Sequence, residues 1–283
     1  MPTDTHPGTR AGKIAILLPS LEGGGAERSM LNLATGFLAE GREVDIVLCQ
    51  AKGAFLDEIP AGATMIELEA TGGLRARWII ARSNLQDFFV RLRPVLLAKK
   101  TAPEVARIRS LQRYIVASQP DVILSALPYA NLSAIWAKEL SGSRVPVIVS
   151  ERIALLSYCA APSNSRKWRW RYLPELVRRT YPRADRVIAV SDHVANELIT
   201  TIGLSKDSVV AVPNPVVDGA LRACAQQALA HPWFTQDGPP VILAAGRLTE
   251  QKDFATLIHA FAAVRTDREA RLVILGEGRL RDD

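Results

Sequence analysis

Two cations in one short segment offer the clearest chemistry. Arg247 and Lys252 lie in the stretch V-I-L-A-A-G-R-L-T-E-Q-K, Val241–Lys252. Its apolar run, Val241–Ala245, predicts a fully buried strand. Gly246 ends that run, and a glycine there lets a ligand come close to the backbone. Phe254, Leu257, Ile258 and Phe261 then recur at helical spacing. In an α/β sheet the carboxyl end of a strand and the start of the next helix form the ligand crevice. The helix N-terminus favours negative charge there. Arg grips phosphate with a planar fork, and Lys acts as a point charge. Together they suit a diphosphate. The same two side chains are also compatible with a solvated turn.

A second loop, Gly23-Gly24-Gly25, follows the apolar run Lys13–Leu18 and precedes a helical pattern through Met30, Leu31, Leu33, Ala34, Phe37 and Leu38. Its glycines free backbone N–H groups to approach a phosphate or sugar, with the positive helix end behind them. The spacing is not G-x-G-x-x-G, and no acid closes the next strand at Cys49–Ala51. Both absences argue against a nicotinamide dinucleotide. Glu27 and Arg28 follow in the first helical turn, placed either to contact a substrate or to pair on the surface. The strand leading to Ser125 and Ala126 is followed by Tyr129 and Asn131. Val145–Ser150 ends in Glu151-Arg152, where Glu151 either orients a hydroxyl or serves as a capping or paired acid. Glu27, Asn131 and Glu151 are thus candidate substrate contacts. A third glycine loop, Gly276-Glu277-Gly278, follows a strand at Leu272–Leu275.

Alternation of short β-branched runs with helical patterns predicts an α/β protein. At 283 residues two domains are expected. Residues 1–12 read as a disordered leader, 13–213 as a first Rossmann-like domain and 214–283 as a second. The stiff turn Pro213-Asn214-Pro215 marks the boundary. The net charge of +6 favours anionic partners. Residues 72–118 predict one or two amphipathic helices broken near Pro94, with many Arg and Lys, among them Arg77, Arg91, Arg93, Lys99, Lys100 and Arg107. Ser163–Arg183 interleaves Trp168, Trp170 and Tyr172 with cations, which suits base stacking, a membrane interface, or a partly solvated helix. With no zinc finger, RNP motif or helix-turn-helix nearby, no nucleic-acid partner is expected. The anionic surface of a membrane, met through 163–183 and 72–113, is the sharper expectation. Cys49, Cys159 and Cys224 have neither metal-site nor disulfide spacing, which fits a reducing cytosol. No apolar run reaches the length of a membrane span, so membrane contact would be peripheral.

The segments G-R-L-T-E-Q-K-D-F-A-T-L-I-H-A-F, L-V-I-L-G-E-G, P-N-P-V and G-G-G-A-E-R together resemble the group 1 (family 4) glycosyltransferases. The similarity covers the chain after residue 12. It implies a GT-B architecture, with two Rossmann-like domains facing across a cleft that holds a nucleotide sugar. It also implies metal-independent transfer with retention, no cofactor, and a glycan or lipid-linked acceptor in polysaccharide or glycolipid synthesis. By the same resemblance Arg247 and Lys252 hold the donor diphosphate and stabilise the leaving group. Gly24 and Gly25 approach the donor or acceptor, Gly246 the donor, Gly276 and Glu277 lie by the nucleoside, and Glu27, Asn131 and Glu151 contact the acceptor. Two departures stand out. The chain stops at Asp283, before the Glu-x7-Glu motif of such enzymes, so the donor domain is expected to be incomplete. The loop Ser125-Ala126-Leu127 lacks a histidine that many members place there. A catalytically inactive member that only binds acceptor or membrane is the alternative.

Overall fold

A computed structural model describes residues 12–83, 88–217 and 219–282. Of the expected leader, only Gly12 lies inside that range. The chain forms two compact units, Met1–Asp218 and Gly219–Asp283. The Pro213–Pro215 turn belongs to the first unit. Asn32 donates to the Pro215 carbonyl at 2.7 Å, and Arg152 donates to Asn214 Oδ1 at 2.5 Å.

The first unit is built on β1 (Lys13–Leu18), β2 (Glu43–Leu48), β3 (Thr64–Glu67), β4 (Val122–Ala126), β5 (Val147–Glu151), β6 (Arg186–Ala189) and β7 (Val209–Ala211). These pair in the order β3-β2-β1-β4-β5-β6-β7, every pair parallel. The order reverses between β1 and β4, which sets the ligand crevice at the carboxyl ends of those strands. Both faces are buried. Ile16 and Leu18 pack with Met30, Leu31 and Ala34 of α1 (Gly25–Ala39) on one side. Ala15 and Leu17 pack on the other with Leu111, Ile115, Trp136, Leu176 and Val177. A strand buried on both faces reads as a continuous apolar run, which is why I-A-I-L-L carries no alternation.

α1 ends where Gly41 takes φ 74°, with its N–H bonded to the Leu38 carbonyl. Only glycine adopts that left-handed geometry freely. Ser191 caps the helix Asp192–Asn196 by accepting from Val194 N at 3.3 Å.

Residues 72–118 hold two amphipathic helices with a break around Pro94, as expected, but the stretch between the helices is divided further. The described pieces are α2 (Gly73–Ser83), a short helix Phe88–Arg91, a π-turn Leu92–Leu96, a short helix Pro103–Ala106 and the helix Ile108–Ser118. Pro94 has no N–H to give the helix ladder and sits buried inside the wide turn. The chain then loops through Leu97–Ala102 before Pro103 starts the next turn.

The cations of this region are also redistributed. Arg91 is fully buried, donates to the Ile80 carbonyl at 3.0 Å, and lies 5.0 Å from the Trp136 ring centre. Arg107 donates to the carbonyls of Leu68 and Pro103. The expected cationic face is therefore narrower than the sequence suggested. Several of its arginines satisfy backbone carbonyls that the broken helices leave open.

The second unit contains β8 (Val241–Ala245), the helix Phe254–Asp267 and β9 (Arg271–Leu275), with β8 and β9 parallel. Two short helices, Gly219–Ala225 and Pro232–Thr235, precede them in the polar segment. None of the described residues of this unit is buried.

Trp136 is the largest fully buried side chain of the first unit. Trp136→Ala is expected to cost about 3–5 kcal/mol of unfolding free energy, read as a lowered urea midpoint.

Candidate functional site

The carboxyl edge of β1 opens directly into the glycine loop. Gly23 has φ 98°, which a larger side chain would resist. Gly24 is the N-cap of α1 in extended conformation. A Cβ on Gly24 would overlap the Glu27 carboxylate. The missing side chain is thus what lets Glu27 fold back over the helix mouth, where the dipole favours an acid. Gly25 meets nothing within 4 Å at its Cβ position, so the first backbone turn of α1 is open. Arg28 is engaged beside this loop. It ion-pairs with Glu58 and stacks 4.1 Å from the Phe55 ring centre.

Asn131 and Glu151 do not reach the surface. Both are fully buried. Ser125 donates to Asn131 Oδ1 at 2.8 Å, and Asn131 Nδ2 donates to the Ser150 carbonyl at 3.0 Å and to Tyr181 Oη at 2.9 Å. Tyr181 in turn donates to Glu151 Oε2 at 2.9 Å. The relay joins the ends of β4 and β5 to the chain that precedes β6. The expected acceptor role of Asn131 and Glu151 therefore gives way to a positioning one. Their polar atoms are committed to one another, and an interior leaves no room for an unpaired partner. Tyr181, which closes the relay, carries no local sequence signal.

Burial pushes the Glu151 carboxyl up to about 7, against the pull of the Tyr181 hydroxyl and the Arg152 and Ile153 amides. Leu127, between β4 and the helix Pro128–Ser141, has φ 79°. A branched residue in that region stores about 1–3 kcal/mol and is held there by its surroundings.

Arg152 is the group that the relay presents at the edge. Its Nη1 donates to Asn214 Oδ1 and its Nη2 lies 3.6 Å from Met30 Sδ. Its Nε is buried with no hydrogen-bond partner among the described residues. Burial lowers its pKa to about 10, with Glu27 and Glu151 pulling it back up, so it stays charged at neutral pH. A half-buried cation at this edge is suited to an anionic or hydroxyl-rich ligand.

In the second unit, Gly246, Arg247, Lys252, Gly276 and Glu277 come together. Gly246 N donates to the Leu275 carbonyl at 2.9 Å, and Leu248 N donates to the Glu277 carbonyl at 2.9 Å. A Cβ on Gly276 would overlap the Gly246 carbonyl. The glycine at 276 is thus required by two loops in close contact. The Lys252 methylenes lie 3.5 Å from the Cβ position of Gly246, folding the side chain over that glycine. Arg247 and Lys252 are exposed, and neither side chain has a hydrogen-bond or ion-pair partner among the described residues. Glu277 pairs with Arg281 at 2.7 Å. Asp253 accepts from Thr256 N at 3.4 Å and caps the helix behind the loop. Two unpaired cations at the carboxyl end of a strand, backed by a helix N-terminus, can hold a diphosphate.

The first unit also holds a cavity of about 770 Å³ between Leu97–Lys100 and Arg166–Arg169. Among the described residues no group of three or more His, Cys, Asp or Glu side chains is placed to hold a metal ion. None of the described helices is long and apolar enough to cross a membrane.

The model for Glycosyltransferase Family 4 matches residues 23–218. The chain belongs to that family. Over 108 residues it is 32% identical to a Campylobacter jejuni enzyme, N-acetylgalactosamine-N,N'-diacetylbacillosaminyl-diphospho-undecaprenol 4-alpha-N-acetylgalactosaminyltransferase. That stretch is 38% of this chain and 27% of the relative. Among solved structures, sucrose-phosphate synthase from Thermosynechococcus elongatus aligns with a TM-score of 0.62 at 14% identity, covering 93% of this chain and 62% of that one. The lipopolysaccharide outer core galactosyltransferase WaaB aligns at 0.56 and 18% identity, over 94% and 61%. HepE from Anabaena, in complex with UDP and glucose, aligns at 0.52 and 15% identity, over 93% and 69%. At such identities the likeness shows the fold, which for this family 4 chain is of the GT-B type. The chain spans about three fifths of WaaB and of the synthase.

The raised Glu151 pKa makes stability depend on pH. Below about pH 4.5 the carboxyl is protonated in both folded and unfolded chains and costs nothing. As pH rises from there to about 7, the unfolded chain ionises first and the folded state loses ground. Relative to Glu151→Gln, the wild type is expected to lose about 3 kcal/mol across that window, as followed by urea unfolding at several pH values.

Proposed function

We propose that this chain acts in glycosyl transfer, moving a sugar from a nucleotide-diphosphate donor to a glycan or lipid-linked acceptor with retention at the anomeric carbon. The observation that carries this reading is the pair of unpaired cations, Arg247 and Lys252, beside Gly246 at the end of β8. When the bond from the sugar to the diphosphate breaks, negative charge develops on the departing phosphate. Fixed cations at that point lower the barrier, because they need no reorganisation as the charge appears. This demands no metal ion and no cofactor. Gly246 lets the phosphates approach the backbone, and Gly276 and Glu277 stand on the neighbouring loop for the nucleoside. Gly24 and Gly25 leave the α1 terminus open to a sugar or phosphate, with Glu27 and Arg152 beside it for the acceptor.

Support for the donor class comes from the UDP and glucose held by HepE. Support for a lipid-linked acceptor and an α linkage comes from the activity named for the C. jejuni relative. Retention is taken from the family resemblance. Polysaccharide or glycolipid synthesis is the setting that fits such an acceptor, and the cations of 72–113 and 163–183 would meet the anionic face of a membrane from the cytoplasmic side.

The test is donor binding by calorimetry with a uridine- or guanosine-diphosphate sugar. Arg247→Ala and Lys252→Ala are each expected to weaken binding about tenfold or more, in keeping with the loss of a charge-assisted phosphate contact. Unchanged affinity in both variants would remove their assigned roles.

A further inference from the structure

The cavity between Leu97–Lys100 and Arg166–Arg169 is formed by two segments far apart in sequence. One belongs to the β3–β4 connection and the other to the β5–β6 connection. In a parallel sheet both connections leave from the carboxyl edge, the edge that also carries the glycine loop and Arg152. Lys99, Lys100, Arg166, Lys167, Arg169 and Trp168 line the cavity, with Leu97 and Ala98 supplying its apolar part. The side chains of Lys99, Lys100, Arg166 and Lys167 have no hydrogen-bonded or ion-paired partner among the described residues. Arg169 lies over the Trp170 ring and feels the buried Glu104 carboxyl, so the uncompensated charge rests on the other four. Uncompensated cations converging on one hollow repel each other, and an anion between them relieves that repulsion.

The walls are held by specific bonds. Arg77 donates to the carbonyls of Leu96 and Ala98 at 2.9 and 2.6 Å, and to Thr101 Oγ1 at 2.9 Å. One guanidinium thus fixes the loop that carries Lys99 and Lys100. On the other side, Tyr129 donates to the Arg169 carbonyl at 2.7 Å, and Lys167 N donates to the Asn164 carbonyl at 2.8 Å.

The aromatics decide between anionic partners. Trp170 is T-stacked against Tyr129 and Tyr158, with ring centres 5.6 and 5.1 Å away. Tyr172 receives the Arg93 guanidinium at 2.7 Å. Neither is free to stack on a base, so the interleaved stretch is not a stacking platform for single-stranded nucleic acid. Trp168 stays exposed at the cavity, and Leu97 beside it is 54% exposed. A cationic hollow with an exposed Trp and Leu at its rim matches the headgroup layer of a bilayer, where Trp settles and phosphate is abundant.

We propose that this cavity seats the phosphate head group of an anionic lipid and docks the carboxyl edge of the first unit against the bilayer. The proposal rests on the membrane-facing reading above and narrows it from two long stretches to one seat. The test is sedimentation of the full chain with phosphatidylglycerol vesicles, with phosphatidylcholine vesicles as the neutral control. The wild type is expected to sediment with the first and not the second. Lys99→Glu/Lys167→Glu is expected to lower the partition coefficient about tenfold or more, since each basic residue near an anionic surface contributes strongly. Arg75→Glu/Arg109→Glu, which changes exposed cations outside the cavity, is expected to retain most of the binding.

Failure of the wild type to bind phosphatidylglycerol would overturn the membrane reading itself. Equal losses in the two double variants would leave that reading standing and overturn the seat. Calorimetric binding of inorganic diphosphate that is lost in Lys99→Glu/Lys167→Glu, without vesicle binding by the wild type, would assign the cavity to a soluble phosphate and overturn the lipid source.

Discussion

A parallel sheet with both faces buried must send every connection over its own edges, and the first unit depends on that constraint. With Ile16 and Leu18 packed to one side and Ala15 and Leu17 to the other, β1 leaves no face for a polar group. Ligand chemistry is confined to the edge where strands end and helices begin. The glycine loop, the strained Leu127, the Glu151–Arg152 pair and both cavity walls belong to connections that leave from it. The packed interior fixes these loops, because displacing one of them would open voids under α1 or under Trp136.

Polar groups beneath that edge support it. The relay from Ser125 through Asn131 and Tyr181 to Glu151 is closed, with each buried member satisfied by the next. A buried acid is costly, and burial pushes the Glu151 carboxyl up to about 7. The hydroxyl of Tyr181 and two backbone amides offset part of it. What the network secures is the direction of β5 as it delivers Arg152 to the edge. The second unit uses a different device. There the loops after β8 and β9 are pressed together backbone to backbone, which only glycine at 276 permits. That contact keeps Gly246, Arg247 and Lys252 on one short, stiff loop.

Much of the architecture was legible in the chain. Lys13–Leu18 and Val241–Ala245 are strands at the boundaries their apolar runs predict, but Val241–Ala245 lacks the full burial expected of it, since Ile242 and Leu243 are exposed. Gly41 and Ser191 end and begin helices for the reasons their residue types suggest. The region after α2 breaks at Pro94, as its sequence predicts, but into more pieces than one or two helices. Helical periodicity there is real, but Pro94 and Pro103 convert it into short pieces whose open carbonyls draw in Arg77, Arg91 and Arg107. Charge counted along a sequence overstates surface charge when a fold needs guanidinium groups as internal donors.

The sequence by itself determined the alternation of strands and helices, the glycine loops, and the placing of two cations on the turn after β8. Those features depend on neighbours within a few residues, where periodicity and backbone freedom decide. Only the tertiary structure decided that Asn131 and Glu151 face inward, that Tyr181 joins them, and that Lys99 and Lys167 share one cavity. Each of those facts needs residues distant in the chain to meet. The burial of a polar side chain, and the pKa that follows from it, is set by what packs over it from other elements.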